Sequence, residues 1–229
     1  MTEEKEKKRP LSYAEFQEQK ATLKVPFYRN PYFLAAVVSM IILPLMRPFL
    51  RHVPPAPAVM YQAPNYQFKN QSGDIFGSEQ LKGKVYVASF LFTRCTTACP
   101  LVTGAMVELQ KRFSDSQVPV QIVSFTVDPD YDSPEVLKEF GLKNGANFDR
   151  WTFVTGETLA IKSLLENGFK VPVGDAKKSG DIMDIAHTKK VVLVDGLGGI
   201  RGYYGTDESG IDEIFHRSQH VLNDMRKTK

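Results

Sequence analysis

Cysteine is nearly absent from the 229 residues: there are two, Cys95 and Cys99. That excludes a disulfide-dense scaffold and a four-cysteine zinc site. A bridge between residues four apart would close a tiny loop and restrain little of the unfolded chain, so stapling the fold does not explain them. Net charge is almost as scarce, a formal +3, which excludes a nucleic-acid reader driven by bulk charge. Even that excess is local: residues 1–29 carry seven Lys or Arg against five Asp or Glu, whereas residues 60–229 carry 20 against 21. With 42% hydrophobic and 24% charged residues, the chain is not mostly disordered. Its length allows one domain with extensions or two small ones, and no internal repeat is visible.

Between Arg29 and Arg47 charge disappears for seventeen residues, Asn30 to Met46. As a helix at ~1.5 Å per residue the run is roughly 25 Å long, a little short of a ~30 Å hydrocarbon core. Arginines at both ends can close that gap by snorkelling, and Tyr28, Tyr32 and Phe49 suit the interface. A core helix fits poorly because the run is apolar all round and leads into the Pro-rich His52-Val53-Pro54-Pro55-Ala56-Pro57-Ala58. A cleaved signal peptide would have an unusually long leader, although Ala56-Pro57-Ala58 weakly resembles a cleavage site. The sequence therefore predicts a cytoplasmic basic tail (1–29), a transmembrane anchor (30–50), a Pro-rich linker (51–64) and a folded domain (65–229). Seven basic residues precede the span and only Arg47 and Arg51 closely follow it, so the positive-inside rule puts the domain across the membrane from the tail. Glu3, Glu4 and Glu6 disfavour an organelle transit peptide. The expectation is a bacterial inner-membrane protein, single-pass, with its domain in the periplasm.

After the linker, β and α signals alternate. Tyr66 to Phe76 reads as a hairpin turning at Ser72-Gly73-Asp74, and Lys84 to Phe92 as a β-branched and aromatic strand. Leu101, Ala105, Leu109 and Phe113 recur at helical spacing, with Val102 and Met106 beside them. Strands follow at Val120 to Val127 and Trp151 to Val154, with helices at Pro134 to Leu142 and Thr158 to Leu165. A hairpin turns at Gly196-Leu197-Gly198-Gly199, and a last helix from about Ser209 to Met225 puts Ile211, Ile214, Phe215, Val221 and Leu222 on one face. This is an α/β order, a central sheet flanked by helices, and it is similar to the thioredoxin-like fold. Its first long strand runs directly into Cys95, at the sheet end where open α/β folds place their sites.

In Phe92-Thr93-Arg94-Cys95-Thr96-Thr97-Ala98-Cys99-Pro100, the proline fixes Cys99 near a helix start and leaves Cys95 on the preceding loop. A helix N-terminus and the adjacent Arg94 should both lower thiol pKa. Thioredoxin-type redox pairs have two intervening residues; this pair has three. Side chains four apart on a helical turn have Cβ atoms ~5–6 Å apart, wider than the ~3.5–4.5 Å of a relaxed disulfide. Two sulfurs sharing one soft metal fit more easily, yet the loop can still close to a disulfide, and both chemistries stay open.

Two thiolates call for a third ligand, and there are four histidines. His52 sits at the membrane edge. His216 and His220 are four apart on the final helix but lack a nearby cysteine or carboxylate, which reads as a surface or rim position. His187 stands just before the strand Lys190 to Asp195, where it is either a ligand or an ordinary strand-start residue.

These segments together, FLFTRCTTACP, then SFTVDPDYDSPEVLKEF, then AHTKKVVLVDGLGGIRGYYG, resemble the Sco (SenC) family of membrane-tethered copper proteins over roughly residues 66–225. The resemblance implies copper ligation by Cys95, Cys99 and His187, matches Asp128 and Asp132 to the family's acidic motif, and implies a role in building the copper centre of cytochrome c oxidase. Two soft thiolates and one imidazole suit Cu(I), and accept Cu(II) with a further oxygen ligand; zinc by ligand type would keep an open position. The expected partners are the copper-site subunit of the oxidase and the membrane, without nucleic acid; the sequence sets no oligomeric state. The alternative is an enzyme, a thiol-disulfide oxidoreductase that reduces partner cysteines through Cys95 and Cys99 without metal. A thiol peroxidase lacks the proline and threonine arrangement it needs before Cys95. Asp128, Asp130, Asp132 and Glu139 fall at calcium-loop positions, but Ser133 stands where glycine is required. Asp132-Ser133-Pro134-Glu135 reads instead as a helix start, with Asp132 either capping it or serving the cysteine loop.

Overall fold

A computed structural model describes residues 12–22, 26–50, 55–95, 99–172 and 189–227, with backbone alone for 19–22, 27 and 47–50. The chain divides into two units, Met1–Val53 and Pro54–Lys229.

The first unit holds α1 (Tyr13–Thr22), a 3₁₀ turn at Phe27–Arg29 and α2 (Pro31–Leu50). Asn30 starts α2: its Oδ1 accepts from the Tyr32 N–H at 3.0 Å, and Pro31 occupies the first helical position, where a missing N–H costs nothing. Every described side chain of α2 is exposed. The apolar run is thus helical, as its composition implies. Among the described residues, however, no helix is long and apolar enough to cross a membrane; the side chains of the last turn of α2 lie outside them.

The second unit is built on one eight-stranded sheet. Its strands are β1 (Tyr61–Gln62), β2 (Gln67–Asn70), β3 (Ile75–Gly77), β4 (Tyr86–Leu91), β5 (Gln121–Thr126), β6 (Trp151–Thr155), β7 (Lys190–Val194) and β8 (Gly199–Gly205), in the order β1-β8-β7-β4-β5-β6-β2-β3. β4, β5 and β6 are parallel, and every other pairing is antiparallel. The central strands read as unbroken apolar runs because both faces are covered. Val87, Leu91, Ile122, Trp151 and Leu193 pack on one face with residues of α3 (Cys99–Asp115), α4 (Pro134–Lys143) and α6 (Glu208–Lys227). Tyr86, Ala88, Val123, Phe125 and Val192 pack on the other with α5 (Thr158–Ser163) and the π turn Leu164–Gly168 that follows it. Two serines inside the first layer are satisfied: Trp151 Nε1 donates to Ser124 Oγ at 2.8 Å, and Ser124 and Ser89 share a 2.6 Å hydrogen bond.

One detail departs from the sequence reading and a second decides a choice it left open. The stretch taken as a Pro-rich linker is partly folded: Arg201 Nη1 donates to the Pro57 carbonyl at 2.7 Å, Met60 N–H to Ile200 O at 2.8 Å, and Ala63 N–H to Gly198 O at 2.9 Å. Backbone pairing at an open sheet edge, rather than side-chain burial, adds this strand. And α4 is capped by Ser133, whose Oγ accepts from Val136 N–H at 3.3 Å, so Asp132 is not its cap.

Candidate metal centre

β4 carries the chain to the C-terminal edge of the parallel strands, where it leaves the sheet after Phe92 and turns, Cys95 N–H donating to Phe92 O at 3.2 Å. What fixes this turn is Asp132. Its side chain is fully buried and accepts three hydrogen bonds: Thr93 N–H at 3.1 Å, Thr93 Oγ1 at 2.5 Å and, from the end of β5, Thr126 Oγ1 at 2.5 Å. Burial outweighs these donors and holds the carboxyl above its ordinary pKa. A second clasp lies outside it. Arg94 Nε and Nη2 donate to Asp128 Oδ2 at 3.0 and 2.5 Å, and the guanidinium sits 4.3 Å from the Tyr131 ring centroid. The 128–132 loop therefore grips the two residues just before Cys95.

Asp132→Ala leaves three donors, the Thr93 N–H and the hydroxyls of Thr93 and Thr126, without their acceptor. It is expected to cost roughly 3 kcal/mol, or a fall of about 6–12 °C in melting temperature. Thermal denaturation followed by circular dichroism reads this, and a fall of only about a degree contradicts the clamp.

Cys95 and Cys99 are both reduced, Cys95 half-buried and Cys99 buried. The Cys99 N–H, at the first residue of α3, donates to Cys95 Sγ at 3.3 Å, a contact a thiolate accepts more strongly than a thiol. The helix start thus serves Cys95 through its N–H, but the expected lowering of thiol pKa fails at Cys99. Burial pushes the Cys99 thiol up to about 12, against a partly compensating hydrogen bond at Phe92, and Cys95 and Asp132 raise it further. Arg94 brings no relief because its charge is engaged with Asp128.

The structure brings Cys95 and Cys99 together. His187 lies outside the described residues, as does His52. Among the described residues no group of three or more His, Cys, Asp or Glu is placed to hold a metal. On α6, His216 is exposed and packs edge-on to Phe215 at 5.4 Å, while His220 is half-buried with an unpartnered Nδ1. The donor set described is therefore two soft sulfurs, which fits a thiophilic metal and leaves a third position to be filled. Thr93 and Thr126 escaped the sequence reading; the signal was a threonine at the ends of two adjacent strands beside an unassigned aspartate.

The SCO1/SenC family model matches residues 57–223. The chain belongs to the SCO1/SenC family. The SCO1 protein homolog of Bacillus subtilis (strain 168) is 35% identical over 156 residues, covering 67% of this chain and 79% of that protein. Among solved structures, a SCO1/SenC family lipoprotein from Bacillus anthracis str. Ames has a TM-score of 0.66 at 34% identity, covering 72% of this chain and 96% of that one. BsSco, a member of the Sco family of cytochrome c oxidase assembly proteins in which a disulfide switch has been identified, has a TM-score of 0.66 at 32% identity, covering 74% and 98%. These two structures bear out the thioredoxin-like α/β fold.

Proposed function

We propose that the chain is a membrane-tethered copper-binding protein that serves assembly of the copper centre of cytochrome c oxidase, holding copper through Cys95, Cys99 and His187. The observation that carries this reading is the pair of reduced thiols, one just after a clamped turn and one at a helix start, linked by one N–H···S contact. Family membership supports it, and so does the donor chemistry: two sulfurs and an imidazole prefer Cu(I) over harder cations. Copper is cargo here. Asp132 and Asp128 hold Thr93 and Arg94, the two residues before Cys95, and the two cysteines would release their thiol protons as the metal enters.

A half-exposed Cys95 beside a buried Cys99 also suits thiol exchange. Cys95 would attack a partner disulfide and Cys99 would then release the reduced partner, two thiols becoming one disulfide for each disulfide opened. Metal delivery and reduction of the partner's copper-site cysteines therefore draw on the same pair. For the tether, the uncharged run 30–46, bounded by Arg29 and Arg47 and helical in α2, supports a single span, and the basic N-terminal tail supports a domain on the periplasmic side of a bacterial inner membrane.

The test is an anaerobic Cu(I) titration of the full chain. About one copper per chain is expected when the thiols are reduced, and none after Cys95 and Cys99 are oxidised to a disulfide, which offers no thiolate. Equal loading of both forms contradicts the proposal.

A further inference from the structure

The end of the domain opposite the cysteine loop carries a feature that copper chemistry does not use. Lys84 precedes β4, whereas Cys95 follows it; the six residues of that strand separate the two ends by about 20 Å. Around Lys84 three segments meet. Gly83 N–H donates to Gly196 O at 2.9 Å, and Gly196 N–H contacts Met225 Sδ at 3.3 Å. Lys82 and Lys84 are thereby gathered with Arg226 and Lys227 at the end of α6, all four exposed. The acids nearby are ion-paired, Glu79 to Lys82 at 2.8 Å, Asp195 to Arg201 at 2.7 Å and Asp224 to Arg201 at 3.7 Å, which leaves Lys84, Arg226 and Lys227 as the excess positive charge. In a domain whose charges otherwise balance, this is a local cationic face.

The face is also apolar where it protrudes. Leu197, on the turn between β7 and β8, is 81% exposed, and Val59 and Met60 on the adjoining segment are about half exposed. Beside Leu197 opens a cavity of about 310 Å³, lined by Pro64, Leu81 and Leu197 with Lys82 and Tyr66. The Tyr66 hydroxyl is buried and faces that of Tyr86, which also lines the cavity. Cations around exposed aliphatic side chains match phosphate and acyl chain in one molecule.

We propose that this face docks on an anionic phospholipid surface, so that the cysteine loop points away from the bilayer toward its protein partner. The proposal rests on the tethered reading of the chain, and covalent length favours it. From the end of α2 at Leu50 to Pro57, held by Arg201, seven residues reach at most about 25 Å. The point at which the tether leaves the domain lies on this same end, because Arg201 binds both Pro57 and Asp224 beside the cationic cluster.

The test is lysine acetylation of the full chain, read by mass spectrometry, in vesicles of phosphatidylcholine alone and in vesicles that also contain phosphatidylglycerol. Lys82, Lys84 and Lys227 are expected to react about tenfold more slowly with the anionic lipid, an effect lost in about 0.5 M salt. Lys69, beside Thr155 at the other end of the sheet, should not change. The double variant Lys84→Glu, Arg226→Glu should abolish protection at Lys82 and Lys227. Equal labelling in both lipids overturns the proposal. Flotation separates it from the anchor, whose insertion is indifferent to headgroup charge. A chain that floats with both lipids but labels equally keeps the anchor and loses the face; one that floats only with the anionic lipid keeps the face and loses the anchor; one that floats with neither loses both.

Discussion

Cys99→Ser binds Cu(I) roughly 10²- to 10³-fold more weakly than the unaltered chain. Four-ligand structural metal sites are worth about 10–16 kcal/mol, or ~3–4 kcal/mol per ligand, which converts to that factor. Cys95→Ser is expected to do the same, since a hydroxyl is a poor ligand for a soft ion. The two variants differ in what else they change. Cys99 is buried, so its serine places a hydroxyl among apolar neighbours and should also lower stability by about 1–2 kcal/mol. Cys95 is half-buried, and its serine should leave stability nearly unchanged. Competition against a Cu(I) chelator, with melting temperatures taken on the same samples, reads both effects. Unaltered copper affinity in Cys95→Ser, where folding is not in question, contradicts the ligand assignment.

Copper affinity is expected to climb by about a hundredfold or more between pH 6 and pH 8. In the metal-free chain the Cys99 thiol titrates near 12, so throughout that window the site holds a proton that the metal must displace. Each proton displaced makes binding about tenfold tighter per pH unit. Had the helix N-terminus and Arg94 lowered this thiol toward neutrality, affinity would level off as the pH passed its pKa. Chelator competition across the window, corrected for the chelator's own protonation, distinguishes the two; a flat profile contradicts the burial of Cys99. The same shift acts on folding with a definite sign. A group whose pKa is higher in the folded chain stabilises it below the unfolded value, here about 9, and that contribution is lost as pH rises toward about 12.

What the sequence disclosed, and what it hid, follows from where the determining interactions lie. The strand Tyr86–Leu91 and its parallel neighbour Gln121–Thr126 were legible because burial on both faces leaves an uninterrupted apolar run. The first helix after the cysteines was legible because Leu109 and Phe113 repeat at the helical period. Tyr61–Gln62 was not, since both residues are exposed and the strand is specified by backbone bonds to β8 that leave no side-chain pattern. Which of its two readings Asp132 takes was left open for a similar reason. Its partners Thr93 and Thr126 are 39 and 6 residues away, and only the parallel pairing of β4 with β5 brings them together. Adjacency misled in one place: Arg94 stands next to Cys95 in sequence, but its guanidinium turns to Asp128 and Tyr131. The pairing of Cys95 with Cys99, by contrast, was readable from spacing and from Pro100, because a four-residue separation at a helix start leaves little room for anything else.

The most direct measurement is copper X-ray absorption on the reduced chain loaded with one equivalent of Cu(I), beside the His187→Ala variant loaded in the same way. The account expects two sulfurs and one imidazole nitrogen around the metal in the first, and the nitrogen missing with both sulfurs retained in the second. A shell of oxygen and nitrogen alone, or an imidazole that persists after His187 is removed, contradicts it.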